Sequence, residues 1–240
     1  MITRKKSIIL ALVAFLGSLL FISCKEKELI NPCFRSPWYI QEYAVTPEFV
    51  GGIFHEYSQH DDRNMKIAVD VDTREQATTR ILNHIRHQDE FLPYARRYND
   101  LSYNGCHPTP CGTMSLAEPL TKIRCYEATS SGEFMDVSDK LCFRALTFLP
   151  FIRSGYKYRE QCEAPVGPHR FGIMDYLVNK PLLSLSEEDL TLLDCKDWTY
   201  VFELVPIEPY RINKEGLYNV VIEENGNRHE VKAKLKSWLP

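Results

Sequence analysis

Apolar and polar positions alternate with period two along much of the chain, and the pattern is strictest near its C-terminal end. Tyr218, Val220 and Ile222 are spaced by Asn219, Val221 and Glu223, and Asn225-Gly226 follows. A two-residue type I′ turn needs positive φ at both central residues, and Asn-Gly is its preferred pair. Pairing outward from the turn sets Val220 opposite Val231, Tyr218 opposite Ala233 and Ile222 opposite His229 on one face. The other face receives Glu223 opposite Arg228 and Asn219 opposite Lys232. A slip of one residue would send Tyr218, Val220 and Ile222 to solvent, so the pattern predicts a hairpin with a single register.

Further strands are expected over Trp38–Val45, closed by Pro47, and over Met65–Asp72, where Met65, Ile67, Val69 and Val71 oppose Lys66, Ala68, Asp70 and Asp72. Gly51-Gly52 is expected to interrupt the chain between them. Leu120–Tyr126 alternates Leu120, Lys122, Arg124 and Tyr126 against Thr121, Ile123 and Cys125. Leu141–Ile152 is apolar enough for a buried strand, Tyr156–Arg159 could begin another, and Trp198–Val205 carries a bulky aromatic face. Gln161–Arg170, with Pro165, Gly167 and Pro168, should be irregular.

Two segments change period. Thr73-Arg74-Glu75-Gln76 has capping-box spacing, and Ala77, Ile81, Ile85 and Leu92 then fall on one helical stripe that Pro93 should end. A shorter helix start lies at Leu185–Leu190, with Ser186 as cap and Glu187, Glu188 and Asp189 at the positive end of the dipole. Short strands, tight turns and little helix predict a mainly β chain. The expected fold is an immunoglobulin-like β-sandwich with one helical insertion, occupying residues 38–240 and with a possible subdivision near residue 113.

The N-terminus follows another rule. Arg4, Lys5 and Lys6 precede an apolar run from Ser7 to Ile22, which stops at Ser23, Cys24, Lys25 and Glu26. At about 16 residues the run is shorter than the roughly 20 of a spanning helix, and it has the layout of a secretory signal. Phe21-Ile22-Ser23-Cys24 resembles a bacterial lipobox, which implies removal of residues 1–23 and acylation of Cys24. Lys25-Glu26-Lys27-Glu28 is similar to the lysine and acidic export tag of surface lipoproteins in the Bacteroidota. Leu120-Thr121-Lys122-Ile123, Phe134-Met135-Asp136-Val137-Ser138-Asp139 and the C-terminal hairpin resemble a family of uncharacterised lipoproteins of that group ending in an immunoglobulin-like domain. The resemblance implies a fold and a location, lipid-anchored at the outer membrane and exposed on the cell surface, and no reaction. Residues 24–37, polar and carrying Pro32 and Pro37, then read as a lipidated tether.

Charge and cysteine content narrow the partners. The formal charge is −3, and loss of Arg4, Lys5 and Lys6 with the signal takes it to −6, which argues against a nucleic-acid partner. Cys33, Cys106, Cys111, Cys125, Cys142, Cys162 and Cys195 follow Cys24. An exported chain meets an oxidising compartment, so disulfides are expected, and the odd number leaves at least one thiol out. Cys106 and Cys111 are the expected pair, because Gly105, Pro108 and Pro110 favour a tight reversal between them. A zinc site from Cys106, His107 and Cys111 is the rival reading and lacks a fourth ligand.

No stretch announces an activity. His84, His87 and Asp89 have a spacing open to a metal, as does the looser group His55, His60, Asp61 and Asp62, but a polar surface explains both more simply. Glu133, Asp136 and Asp139, or Glu187, Glu188 and Asp189, are the best carboxylates for an extracytoplasmic hydrolase, and no GxSxG or HExxH accompanies them. No catalytic residue, metal or cofactor is therefore assigned. A non-catalytic surface module binding a protein or glycan is preferred to a structural or adhesive subunit of a surface assembly and to a hydrolase. Tyr94, Tyr98 and Tyr103 are its candidate ligand-contacting residues, and the stretch from Arg96 to Gly112 reads as a long loop, a common place for a binding surface.

Overall fold

A computed structural model describes residues 37–55, 65–103, 113–156, 177–196 and 200–235, all within the compact unit Ser36–Pro240. The chain is mainly β and sandwich-like. Strands β2 (Phe49–His55), β3 (Met65–Val71), β8 (Leu141–Leu146), β9 (Leu177–Pro181) and β10 (Phe202–Pro206) form one sheet in the order β2-β3-β10-β8-β9. Strands β6 (Leu120–Ala128), β7 (Phe134–Asp136), β11 (Tyr218–Glu224) and β12 (Asn227–Ala233) form a second, in the order β12-β11-β6-β7. A third sheet, β4-β1-β5, is built from β1 (Ile40–Thr46), β4 (Arg80–Asn83) and β5 (Thr113–Leu116), with β5 parallel to β1.

The main core lies between the five- and four-stranded sheets. Ile67, Val69, Phe143, Phe202 and Leu204 from the first join Ile123, Val220, Ile222 and Val231 from the second in one buried cluster. Each such side chain contributes roughly 1.5–3 kcal/mol on leaving water. The C-terminal hairpin has the register its alternation predicts, with Val220 opposite Val231, Tyr218 opposite Ala233 and Ile222 opposite His229. Asn225 and Gly226 take φ of 45° and 81°. The charges on the outer face choose partners other than each other: Glu223 lies 3.4 Å from Lys122, and Arg228 pairs with Glu230 at 2.9 Å.

Gly51-Gly52 does not interrupt the chain; both residues lie within β2. A Cβ on Gly51 would sit 2.7 Å from Val231 Cγ1 and 3.3 Å from the Ala68 carbonyl. The glycine thus permits a close approach of β2 to β12, a reason for glycine in a strand that composition does not reveal. The two strands are further joined by the Ile53 amide donating to the Lys234 carbonyl at 2.9 Å.

The helix expected over residues 73–92 is divided differently. Asp72 accepts the Arg74 amide at 3.0 Å and closes a turn, Thr78 and Thr79 tie to Glu48, and Ile81 and Leu82 pair with Ala44 and Tyr43 as part of β4. Backbone pairing with β1 therefore overrides the helical stripe, and Ile85 is left 76 % exposed. The helix itself, α1, runs Gln88–Arg97 and contains Pro93. Asp89 and Glu90 at its start and Arg96 and Arg97 at its end complement its dipole, while Phe91 and Ala95, four apart, bury one face.

Three shorter corrections concern helical turns and a bulge. The strand expected to Ile152 ends at Leu146, and Leu149–Arg153 forms a second helix, α2, with Pro150 in its first turn, where a missing N–H costs nothing. The helix expected after Ser186 is a single 3-10 turn, Glu188–Leu190. In β6 a register shift opposite Glu223 and Glu224 moves Leu120 onto the buried face with Ile123 and Cys125.

A second, aromatic cluster lies under α1 and α2 and holds Tyr39, Ile40, Tyr43, Phe91, Phe148, Phe151 and Leu192. Tyr39 meets Phe151 edge-on at 4.6 Å between ring centres, and Trp38 meets Phe91 at 5.4 Å. Such edge contacts favour the arrangement over simple burial by about 0.5–1.5 kcal/mol each. Among the described residues no helix is long and apolar enough to cross a membrane.

Candidate functional site

Tyr218, Val220, Ile222 and Glu224 lie two apart on β11, and all four are buried. The strand therefore carries a carboxylate onto the face that its apolar residues define. On the partner strand His229 stands opposite Ile222 and faces the same way. The side chains of Glu224 and His229 form part of the wall of a cleft of about 450 Å³, whose other side comes from the turn between β1 and β2 and from Thr78.

Glu224 is 4 % exposed, and among the described residues its Oε1 has no hydrogen-bond partner. Its Oε2 lies 3.6 Å from His229 Nε2, which also lacks a hydrogen-bond partner, and the imidazole packs edge-on against Phe49 at 5.1 Å. Burial pushes the Glu224 carboxyl up to about 7, helped by the nearby negative charge of Glu118. Burial also lowers the His229 imidazole below its ordinary value. Burial thus disfavours charge on both the acid and the imidazole beside it, and Glu224 Oε1 and His229 Nε2 have hydrogen-bonding capacity left.

The opposite wall already has its partners. Glu48 Oε2 accepts the Thr78 amide at 2.8 Å and the Thr78 hydroxyl at 2.9 Å, and these two bonds hold its carboxyl below the usual range. Thr46, Pro47, Asn227 and Glu230 complete the rim. Among the described residues the lining contains three carboxylates, one histidine and neither lysine nor arginine.

Buried Asp100 and Glu203 and half-buried Glu127 are, by contrast, well supplied with partners. Asp100 accepts the amides of Tyr39 and Ile40 and the hydroxyl of Tyr156, all at 2.8 Å. Glu203 binds Lys66 at 2.5 Å and lies 3.8 Å from Arg144. Glu127 accepts the hydroxyls of Tyr210 and Tyr218, each at 2.8 Å, and so ties the 207–216 loop to the four-stranded sheet.

The residues singled out from sequence are placed as follows. Tyr94 lies in α1 and Tyr98 at its end, and both pack with Tyr103 against the aromatic cluster. Tyr98 donates to the Ala117 carbonyl at 2.8 Å, and Tyr103 meets Tyr39 and Tyr156 at steep angles of 75° and 62°. His84 contacts the Gln41 carbonyl at 3.1 Å, His87 Nδ1 accepts the Asn83 amide at 3.2 Å, and Asp89 is exposed in the first turn of α1. Glu133 and Asp139 are exposed, and Asp136 accepts the Ser138 amide at 2.9 Å. Glu187 is exposed, Glu188 pairs with Arg153 at 2.7 Å, and Asp189 binds Lys180 at 2.6 Å and Ser186 at 2.8 Å.

His55 ends β2, whereas His60, Asp61 and Asp62 lie outside the described residues, as do Cys24, Cys33, Cys106, His107, Cys111 and Cys162. Among the described residues Cys125, Cys142 and Cys195 are free thiols, and no group of three histidine, cysteine or acidic side chains could hold a metal. Cys125 and Cys195 are buried, which pushes both thiols up and makes them poor nucleophiles.

The fold and the cleft define a mainly β, sandwich-like protein with a buried carboxyl and an imidazole side by side in the wall of a surface cleft. Comparison of the chain with protein-family models, with curated proteins and with solved structures finds no match.

Proposed function

We propose that the chain is a cell-envelope lipoprotein, anchored at the outer membrane through acylated Cys24, whose immunoglobulin-like body is a non-catalytic binding module. The Glu224 and His229 cleft is its ligand site. The anchor rests on the basic start, the short apolar run and the Ser23-Cys24 junction. The binding reading rests on one observation: Glu224 and His229 line an open cleft, and among the described residues their enclosed Oε1 and Nε2 atoms have no hydrogen-bond partner. A buried polar group without a partner costs about 1–3 kcal/mol, so a ligand that supplies one gains that much over bulk contact. The acids considered for hydrolysis support the non-catalytic reading, since Asp136, Glu188 and Asp189 are held in local turns and ion pairs.

Two experiments test it. Wild type and a Cys24→Ala variant are fractionated: membrane-bound wild type and soluble or unprocessed variant are expected, because acyl chains contribute about 0.8 kcal/mol per buried CH₂. Soluble wild type would overturn the anchor. The folded body is then applied to glycan and peptide arrays beside Glu224→Gln and Asn227→Trp variants. Ligands retained by wild type should be lost from both variants, and unchanged retention would remove the cleft from the account.

A further inference from the structure

Resting on the cleft as a ligand site, we infer that it takes an organic ammonium group, such as a lysine side chain or a polyamine, and that binding expels a proton. The charge of the walls sets the class. Glu48, Glu224 and Glu230 line the cleft with no cationic side chain among them, although Glu230 is answered from the side by Arg228 at 2.9 Å. An acidic rim alone says little. The second observation is Glu224 itself, more than nine-tenths buried with one oxygen unpaired.

The groups around Glu224 leave its charge uncompensated. Glu118, in the β5–β6 loop, is negative and already paired with Arg97 of α1 at 2.7 Å. Burial disfavours a positive charge on His229 of β12. Tyr94 of α1 and the Cys195 thiol, which both feel the Glu224 charge, are raised and therefore uncharged at neutral pH. Glu48 across the cleft is negative. A buried carboxylate without a counter-charge is costly, and protonation is its way out.

An ammonium group in the cleft offers the alternative. Its charge stabilises the ionised acid, its N–H donors answer the carboxyl from the cleft side, and its alkyl chain lies beside the Phe49 and His229 rings. Because the cation favours ionised Glu224, reciprocity requires that binding lower the acid's proton affinity. The balance is simple: an ammonium group and a protonated Glu224 give an ion pair and one proton released to buffer, in fractional amount near the midpoint of the acid.

The test uses n-butylammonium, n-butanol as its neutral counterpart, and a panel of neutral saccharides, added to the folded chain. Amide shifts of Thr78, Asn227 and His229 report occupancy. Calorimetry at pH 6.5 in two buffers of different ionisation enthalpy reports proton release. Saturable shifts with n-butylammonium, none with n-butanol, and net proton release are expected. Glu224→Gln should abolish the release and weaken binding by about tenfold or more. Equal response to n-butanol, binding without proton release, or no response to n-butylammonium would overturn the ammonium assignment. If saccharides shift the same three amides, the cleft remains the ligand site and only the class is wrong. If saccharides also leave those amides unmoved and cleft variants retain every array ligand, the binding site itself is refuted.

Discussion

Asp100, just past the end of α1, and Glu224, the last residue of β11, are both buried carboxyls, and the donors around them differ. Asp100, 0 % exposed, is given three donors, from Tyr39, Ile40 and Tyr156. Glu224 is given none at Oε1. Burial raises both, Asp100 to about 6 and Glu224 to about 7; the three donors oppose the rise at Asp100, whereas Glu118 adds to it at Glu224. The first is a clasp that fastens the start of β1 to the end of α1. The second has no structural task that the hydrogen bonds reveal. Burial alone therefore does not separate a scaffold acid from a site acid; the donors around it do.

The largest effect expected from this contrast is at the clasp. Asp100→Ala strands two buried amides and a hydroxyl, and should destabilise by roughly 3–5 kcal/mol in urea melts. A loss below about 1 kcal/mol would mean that the amides find other partners and the clasp is incidental.

Glu224→Gln should act through pH. An acid raised in the folded state contributes stability that is complete below its ordinary value near 4.5 and is lost as pH climbs through about 7. Relative to the glutamine variant, wild type should therefore weaken between pH 4.5 and 7.5 by on the order of 2 kcal/mol. Parallel pH profiles for the two proteins would show that Glu224 is solvated or paired.

Tyr156→Phe removes one of the three donors to Asp100 and should cost about 1 kcal/mol at neutral pH. Because the hydroxyl favours the ionised acid, its loss also pushes Asp100 further up, and the cost should shrink below pH 5. The smallest effect is expected at Lys234, exposed beyond β12. Lys234→Ala should cost less than about 0.5 kcal/mol, and a larger loss would mean that its side chain helps to hold the β2 to β12 junction.

The same contrast between local and distant causes explains how much the sequence reveals. In the hairpin, alternation, the Asn225-Gly226 turn and cross-strand pairing are all short-range, and together they specify one register. Over residues 73–97 the local signals conflict. Ala77, Ile81 and Ile85 form a helical stripe, yet β1 recruits Ile81 and Leu82, and the helix begins only at Gln88 without a side-chain cap. Gly51 is intelligible only once Val231, 180 positions later, is known to press against it. The cleft is equally non-local, because Glu48, Thr78 and Glu224 meet across three separate segments. One signal for it was nevertheless present. Glu224 continues the apolar face of Tyr218, Val220 and Ile222, and an acid in the inward position of a strictly alternating strand marks a place to look.

Carbon-detected NMR titration of the Glu224 carboxyl bears most directly on the site. A midpoint near 7, moving down when n-butylammonium is added, is the predicted result. A midpoint near the ordinary 4.5, unmoved by the cation, would contradict it and return Glu224 to the ranks of solvated surface acids.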